Sequence, residues 1–403
     1  MASKSQFQNG NKSIQIEFTD QKLSPHAGSA TFWSFLRGSG WIGLLEESLP
    51  HPLPKSNNCL QPLCKALGLI QGLLCGAKKL THVAYLRRDP MVPEMVGIKR
   101  VASQSVLSRF FQGFASAGAN LRCFRPLFGW CLERLPSRKG GYALDLDSTR
   151  LLHEDGHQEG VAVGYTRLGT KPCLHPLLAV LSEVRLVASF WLRPGNSSCA
   201  NNMENFFLDL WENLPRHIHL RVVRADSGFC VGALLMLWER LKLRFVVAAR
   251  LSRPLQGFIQ KETAWQATEI QGTEVAELNY REKDWPATTR LIVIRHRVKD
   301  TPGRSGGKML FDCPAYLYQG LVTNLPRTER PLAVWREYNG RAACENIIKE
   351  LDAGYGLPEL ACKSFWATEA ALSLGVLAHN LVVPFERKLG WLEAVTIGTL
   401  RYW

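Results

Sequence analysis

The sequence predicts a mixed α/β fold. Apolar residues recur at helical spacing through most of the first 140 residues, with few β-branched residues among them. Between 141 and 250, short β-branched or apolar runs alternate with amphipathic helical segments, the layer order of a mixed sheet covered by helices. From 251 to 334 glutamine, threonine and charged residues take over, and short alternating runs separated by proline and glycine predict an all-β insertion. At 403 residues the chain exceeds one typical core. These changes of pattern divide it into four parts: 1–140, mainly helical and basic; 141–250, the first part of an α/β core; 251–334, the insertion; and 335–403, the second part of the core.

The elements follow in order. Ser13 to Phe18 alternates like a strand in an otherwise frayed polar start. Helical spacing runs from Ala30 to Leu49 and from Leu60 to Leu86, broken by Pro50, Pro52 and Pro54. A further helix is predicted after Ser103, and a polar loop from His153 to Pro172. His175–Leu181 and Arg185–Leu192 read as a strand pair, Asn201–Leu214 as a helix, His219–Ala225 as a strand, Cys230–Leu241 as a helix and Leu243–Ala249 as a strand. Helical spacing returns from Ala342 to Asp352 and again from Ala367 to Leu389.

Composition narrows the function. The formal net charge is +14 and the pI near 9.4, which favours a polyanionic partner, nucleic acid first. Residues 51–140 hold 14 Lys and Arg against 3 Asp and Glu, so 14 − 3 = 11 of the 14 excess charges lie in that window. Lys99, Arg100 and Arg109 are candidate phosphate contacts there. The eleven cysteines are scattered without the paired spacing of zinc or redox sites, which predicts reduced thiols and a cytoplasmic protein. No uncharged run reaches membrane-spanning length, so no membrane partner is expected.

Chemistry is concentrated at Tyr142-Ala-Leu-Asp-Leu-Asp-Ser-Thr149. On a strand, Leu144 and Leu146 share one face, while Ala143, Asp145 and Asp147 share the other. A buried carboxylate needs a metal or a positive partner. Asp226 ends a second predicted strand, and Glu345 stands on a helix after the insertion. Asp147, Asp226 and Glu345 are three oxygen donors that suit Mg²⁺, which can activate a hydroxyl and stabilise a leaving oxygen in phosphodiester displacement.

The segments Leu144-Asp-Leu-Asp-Ser-Thr149, His157-Gln-Glu-Gly160, Leu192-Arg-Pro-Gly-Asn196, Arg224-Ala-Asp-Ser-Gly-Phe229 and Tyr338-Asn-Gly-Arg-Ala-Ala-Cys-Glu345 together resemble the bacterial insertion-sequence transposases of the DDE type. The last is similar to their Tyr-x2-Arg-x3-Glu-x6-Lys signature. The resemblance implies an RNase H-like catalytic core with the β insertion before the Glu helix, and an N-terminal helical DNA-binding region. It implies cleavage at transposon ends and strand transfer into target DNA, with Mg²⁺ as cofactor and Mn²⁺ as a substitute. Double-stranded DNA, as inverted-repeat ends and target, is the implied partner, met by a homodimer associated with the nucleoid.

Carried over residue by residue, Asp147, Asp226 and Glu345 become the catalytic metal ligands. Asp145 is the reserve first acid or a supporting acid beside the metal. Tyr338 and Arg341, seven and four residues before Glu345, are expected on its helix face toward DNA phosphate. The signature's lysine position holds Asp352, so Lys349 is the candidate to substitute for it. Two other functions fit the same residues: a catalytically silent DNA-binding descendant, and a metal-dependent nuclease of the same fold.

Overall fold

The computed structural model describes residues 4–9, 12–17, 22–52, 56, 58–154, 156–166, 169–297, 308–310, 313–391 and 395–401. The polar start forms a hairpin of β1 (Lys4–Asn9) and β2 (Lys12–Glu17), pairing Lys4 with Glu17; Phe18 of the expected strand lies outside the described residues. Helices follow: α1 (Ser29–Gly38), α2 (Trp41–Ser48), α3 (Pro62–Leu74), α4 (Leu80–Val83), α5 (Met91–Val96), α6 (Gln104–Gln112) and α7 (Ala117–Glu133). The helix expected from Ala30 to Leu49 is split at Gly40, whose φ of 79° is left-handed and ends one helical course before the next begins. The run from Leu60 to Leu86 is likewise split, between α3 and α4.

The acid strand is β3 (Tyr142–Ser148). In place of the expected loop after it stands a small sheet of β4 (Leu151–Leu152), β5 (Ala162–Thr166) and β6 (Gly169–Leu174), in which β5 and β6 form a hairpin. Then come β7 (Leu177–Leu181), β8 (Leu186–Trp191), α8 (Met203–Asn213), β9 (Leu220–Ala225), α9 (Gly232–Arg240) and β10 (Phe245–Ala248), close to the segments expected. The stretch 251–334 holds α10 (Arg253–Lys261), β11 (Gln266–Ala267), β12 (Thr273–Leu278), β13 (Arg290–Arg297), β14 (Lys308–Leu310) and β15 (Cys313–Thr323). It is therefore β-rich but not all-β, because Ser252 caps a helix at its start. The chain closes with α11 (Pro331–Asn339), α12 (Ala342–Ala353), α13 (Phe365–Lys388) and α14 (Ile397–Leu400).

One mixed sheet organises these parts, in the order β11-β12-β13-β15-β10-β9-β3-β7-β8. β7 runs antiparallel to β3 and β8 antiparallel to β7, while β9 and β10 continue parallel to β3 on its other side. This is the mixed α/β sheet that the resemblance implies. β15 pairs antiparallel with β10, so the inserted strands extend the core sheet edge to edge.

The two faces of β3 are covered differently, as its alternation requires. Leu144 and Leu146 join a large core that also holds Trp33, Ile70, Phe111 and Leu127 from the N-terminal helices and Leu377 from α13. Ala143 faces a smaller cluster with Val222, Val246 and Ile292, roofed by Val334 and Tyr338 of α11. One hydrophobic core thus runs from the N-terminal helices through the sheet to α13. Among the described helices α13 is long and apolar enough to cross a membrane, but 94% of that stretch is buried within the fold.

The small sheet is held to the core by backbone contact. Gly195 N donates to Gly160 O at 3.1 Å, and a Cβ on Gly195 would sit 1.9 Å from Cys173 O and 2.3 Å from Ala162 O. Gly195→Ala should lower the unfolding free energy in urea by about 1–3 kcal/mol through overpacking against rigid backbone. Gly129→Ala in α7, where an added Cβ meets nothing within 4 Å, should leave it unchanged or raise it by up to about 1 kcal/mol.

Candidate active site

Parallel pairing sets the first two acids side by side. β3 and β9 align Asp145 with Arg224 and Leu146 with Ala225, an offset of 224 − 145 = 79 residues. Asp147 and Asp226 share that offset (226 − 147 = 79), so they occupy the same position at the C-terminal ends of neighbouring strands, which lie about 4.8 Å apart. Backbone amides at the strand ends hold one oxygen of each: Ser148 N donates to Asp147 Oδ1 and Gly228 N to Asp226 Oδ1, both at 2.8 Å.

The third acid arrives from above. α11 ends at Asn339, Gly340 and Arg341 make a corner, and α12 carries Glu345 in its first turn. Tyr338, Arg341 and Glu345 therefore do not share one continuous helix, contrary to expectation: Tyr338 belongs to the end of α11. The corner nevertheless aims Arg341 inward. Its Nη2 lies 2.6 Å from Asp147 Oδ2 and its Nη1 3.7 Å from Glu345 Oε1, so the guanidinium spans the first and third acids.

Burial and charge act together here. Asp147 is 8% exposed; burial pushes its carboxyl up to about 6 although Arg341 pulls the other way, and the charges of Asp226 and Glu345 add to the rise. For Arg341, burial works against the charge but is outweighed by Asp147, with Tyr338, Cys344 and Asp226 contributing, and its pKa lies above the ordinary value. Burial also raises the Tyr338 phenol; Arg341 opposes this, and the three carboxylates reinforce it, so the hydroxyl stays a donor at neutral pH. All three acids thus act on Tyr338, and Asp147 and Asp226 act on Arg341 as well.

Asp145 has a different task. Fully buried, it accepts Arg224 Nε at 2.6 Å on Oδ1 and Arg224 Nη2 at 2.9 Å on Oδ2, with Ser182 Oγ as a further donor. Both oxygens are engaged in this pairing. Lys349 is exposed one turn beyond Glu345. Burial raises the Asp352 carboxyl, Lys78 in the turn between α3 and α4 opposes this, and Glu359 adds to the rise. Lys99, Arg100 and Arg109 are exposed around α6, where Arg100 also donates to Asn58 O at 2.7 Å. Arg224 and Gly340 stand in the motifs of the sequence without an assigned role and Glu337 lies just outside them, although the common offset of 79 pairs Arg224 with Asp145 as directly as it pairs the two catalytic candidates.

Among the described residues no group of three or more His, Cys, Asp or Glu side chains is gathered tightly enough to hold a metal ion as it stands. At this site the guanidinium of Arg341 lies between carboxylates and supplies the positive charge, and its buried Nε has no hydrogen-bond partner. Three carboxylates with mutual electrostatic influence are a donor set that fits a hard divalent cation, provided Arg341 gives up Asp147.

A metal held at this site would compete with a proton for Asp147. Mn²⁺ affinity measured by titration calorimetry is expected to fall about tenfold per pH unit below 6 and to change little between pH 7 and 8. The metal-free protein carries the opposite sign: with a folded value raised from 3.8 to about 6, this carboxyl's contribution to stability is full below pH 3.8 and lost as the pH climbs to about 6.

Comparison with known proteins adds the family. Among solved structures, a piggyBac transposase in a synaptic complex with hairpin DNA aligns at a TM-score of 0.49 and 10% identity, over 94% of this chain and 78% of that one. No curated protein matches. The family model described as transposase DDE domain, group 1, matches residues 6–402, nearly the whole length. The chain belongs to that family of DDE transposases, enzymes of metal-dependent DNA cleavage and strand transfer.

Proposed function

We propose that Asp147, Asp226 and Glu345 are the catalytic acids of this transposase and that they hold Mg²⁺, with Mn²⁺ as a substitute. The observation that carries this reading is the pairing of Asp147 with Asp226 at the ends of neighbouring parallel strands, with Arg341 tying the Glu345 helix to the same point. When bound, the metal supplies a Lewis acid that activates the attacking hydroxyl and stabilises the leaving oxygen. The backbone amides of Ser148 and Gly228 fix the rotamers of the two aspartates. Tyr338, protonated and next to the acids, donates to a non-bridging phosphate oxygen. Arg341, once it leaves Asp147, meets the same phosphate with a charge-assisted bond.

Residues 1–140 serve as the DNA-binding region, with Lys99, Arg100 and Arg109 on the backbone of double-stranded DNA. Lys349 adds a phosphate contact beside Glu345. The substrate is the inverted-repeat ends of a bacterial insertion sequence together with target DNA, engaged by a homodimer in the cytoplasm at the nucleoid.

Asp147→Asn, Asp226→Asn and Glu345→Gln should each abolish cleavage of end-containing DNA and leave its binding within a few-fold, since each removes a metal ligand and little surface. Cleavage surviving in any one of them would remove that residue from the set. Cutting without joining in the wild type would make the chain a nuclease of the same fold.

Replacing Lys99, Arg100 and Arg109 together by glutamine should lower the slope of log affinity against log salt by roughly 2–3, as expected for three lost phosphate contacts. An unchanged slope would show that these charges are only a solvated surface.

A further inference from the structure

The reading above leaves a buried cation unexplained. Arg224 is 4% exposed and lies on β9 itself, two residues before Asp226. Its Nε and Nη2 grip Asp145, and its Nη1 reaches out of the sheet to Glu337 O at 2.8 Å and Glu337 Oε1 at 3.1 Å. Glu337 is in the last turn of α11, one residue before Tyr338. Arg221 holds the other oxygen of the same carboxylate and lies 3.5 Å from Glu183, whose carboxylate accepts the Ala143 amide at 2.9 Å. A single guanidinium thus joins the acid strand, the strand of Asp226 and the end of α11.

The corner above it is shaped to admit this group. A Cβ on Gly340 would lie 2.3 Å from Arg224 Nη1 and 3.3 Å from its Cζ. Gly340 has no left-handed backbone to explain it, since its φ is −56°. The glycine of Tyr338-Asn-Gly-Arg341 is there because the arginine passes beneath it. Arg341 follows at once and Glu345 four residues later, so a change in the height of this corner displaces both.

We propose that Arg224, clamped by Asp145 and admitted by Gly340, is the positioning residue that sets Glu345 and Arg341 at the correct height over Asp147 and Asp226. This rests on the three-acid reading. Asp145 then acts through Arg224 and holds no metal. A planar guanidinium is required, because the clamp uses three of its nitrogens in one plane and a lysine offers a single ammonium point.

The test uses the full chain and the variants Arg224→Lys, Gly340→Ala and Asp145→Asn. Two readouts are taken: Mn²⁺ affinity by titration calorimetry, and amide hydrogen exchange across residues 331–353. Each variant is expected to weaken Mn²⁺ binding about tenfold, within the range for coupled neighbours, and to speed exchange over 331–353. The double variant Asp145→Asn with Gly340→Ala should be no worse than Arg224→Lys, because both changes act through one guanidinium. Mn²⁺ affinity and exchange unchanged in Gly340→Ala and Arg224→Lys, with only the melting temperature lowered, would overturn the proposal and leave a merely structural ion pair. Complete loss of Mn²⁺ binding in Asp145→Asn alone would overturn it by making Asp145 a ligand. Gly340→Ala alters no charge and keeps the proposal falsifiable should Arg224→Lys fail to fold. If the wild type binds no Mn²⁺ the three-acid reading fails, whereas the exchange measurement still decides whether the clamp sets the corner.

Discussion

Two carboxylates on one face of a buried strand cannot both stay ionised without positive partners, and the rest of the molecule is arranged to provide them. Asp145 receives Arg224 from the adjacent strand, and Asp147 receives Arg341 from the corner between α11 and α12. The two pairs differ in kind. Arg224 saturates both oxygens of Asp145 and is bonded onward to Glu337, which makes a closed unit. Arg341 takes one oxygen of Asp147, stands 3.7 Å from Glu345 and keeps a buried Nε without a partner, which makes an open one. A closed pair belongs to architecture; an open pair at a strand end is where a stronger cation and an anionic substrate can both gain.

The packing follows from the same strand. Because Leu144 and Leu146 face the N-terminal helices and α13, that side is a large apolar core and the acids are driven to the other. There the small cluster around Ala143 is roofed by α11, whose C-terminal end must come down close enough for its backbone to meet Arg224. The helix that brings Glu345 is thus placed by contacts made several residues earlier. The late position of α12 in the chain, after the strands that extend the sheet through β15, costs nothing in precision because β10 and β15 are joined in the same sheet.

Much of this was legible in the sequence, where local pattern and chemistry agreed. Alternation around Asp145 and Asp147 gave their common face, and the strands ending at Ala225 and Ala248 fell within a few residues of their expected limits. The misses had long-range causes. The small sheet after β3 has polar, glycine-bearing strands, and close backbone approach at Gly195 holds it rather than apolar alternation. The break between Tyr338 and Glu345 is invisible to helical spacing, because Gly340 keeps helical dihedrals and the arginine packed beneath it lies 116 residues earlier (340 − 224 = 116). Which arginine meets which aspartate depends on strand register, and local pattern does not give that.

The central claim is that Arg341 stands where a cation will bind and that Asp147, Asp226 and Glu345 are its ligands. The most direct test is an anomalous-difference map from crystals grown with Mn²⁺. The account predicts density bounded by these three carboxylates, with the Arg341 guanidinium withdrawn from Asp147 and the Asp145–Arg224 pair intact. Density ligated by Asp145, or a Mn²⁺ site elsewhere with Arg341 still on Asp147, would contradict it.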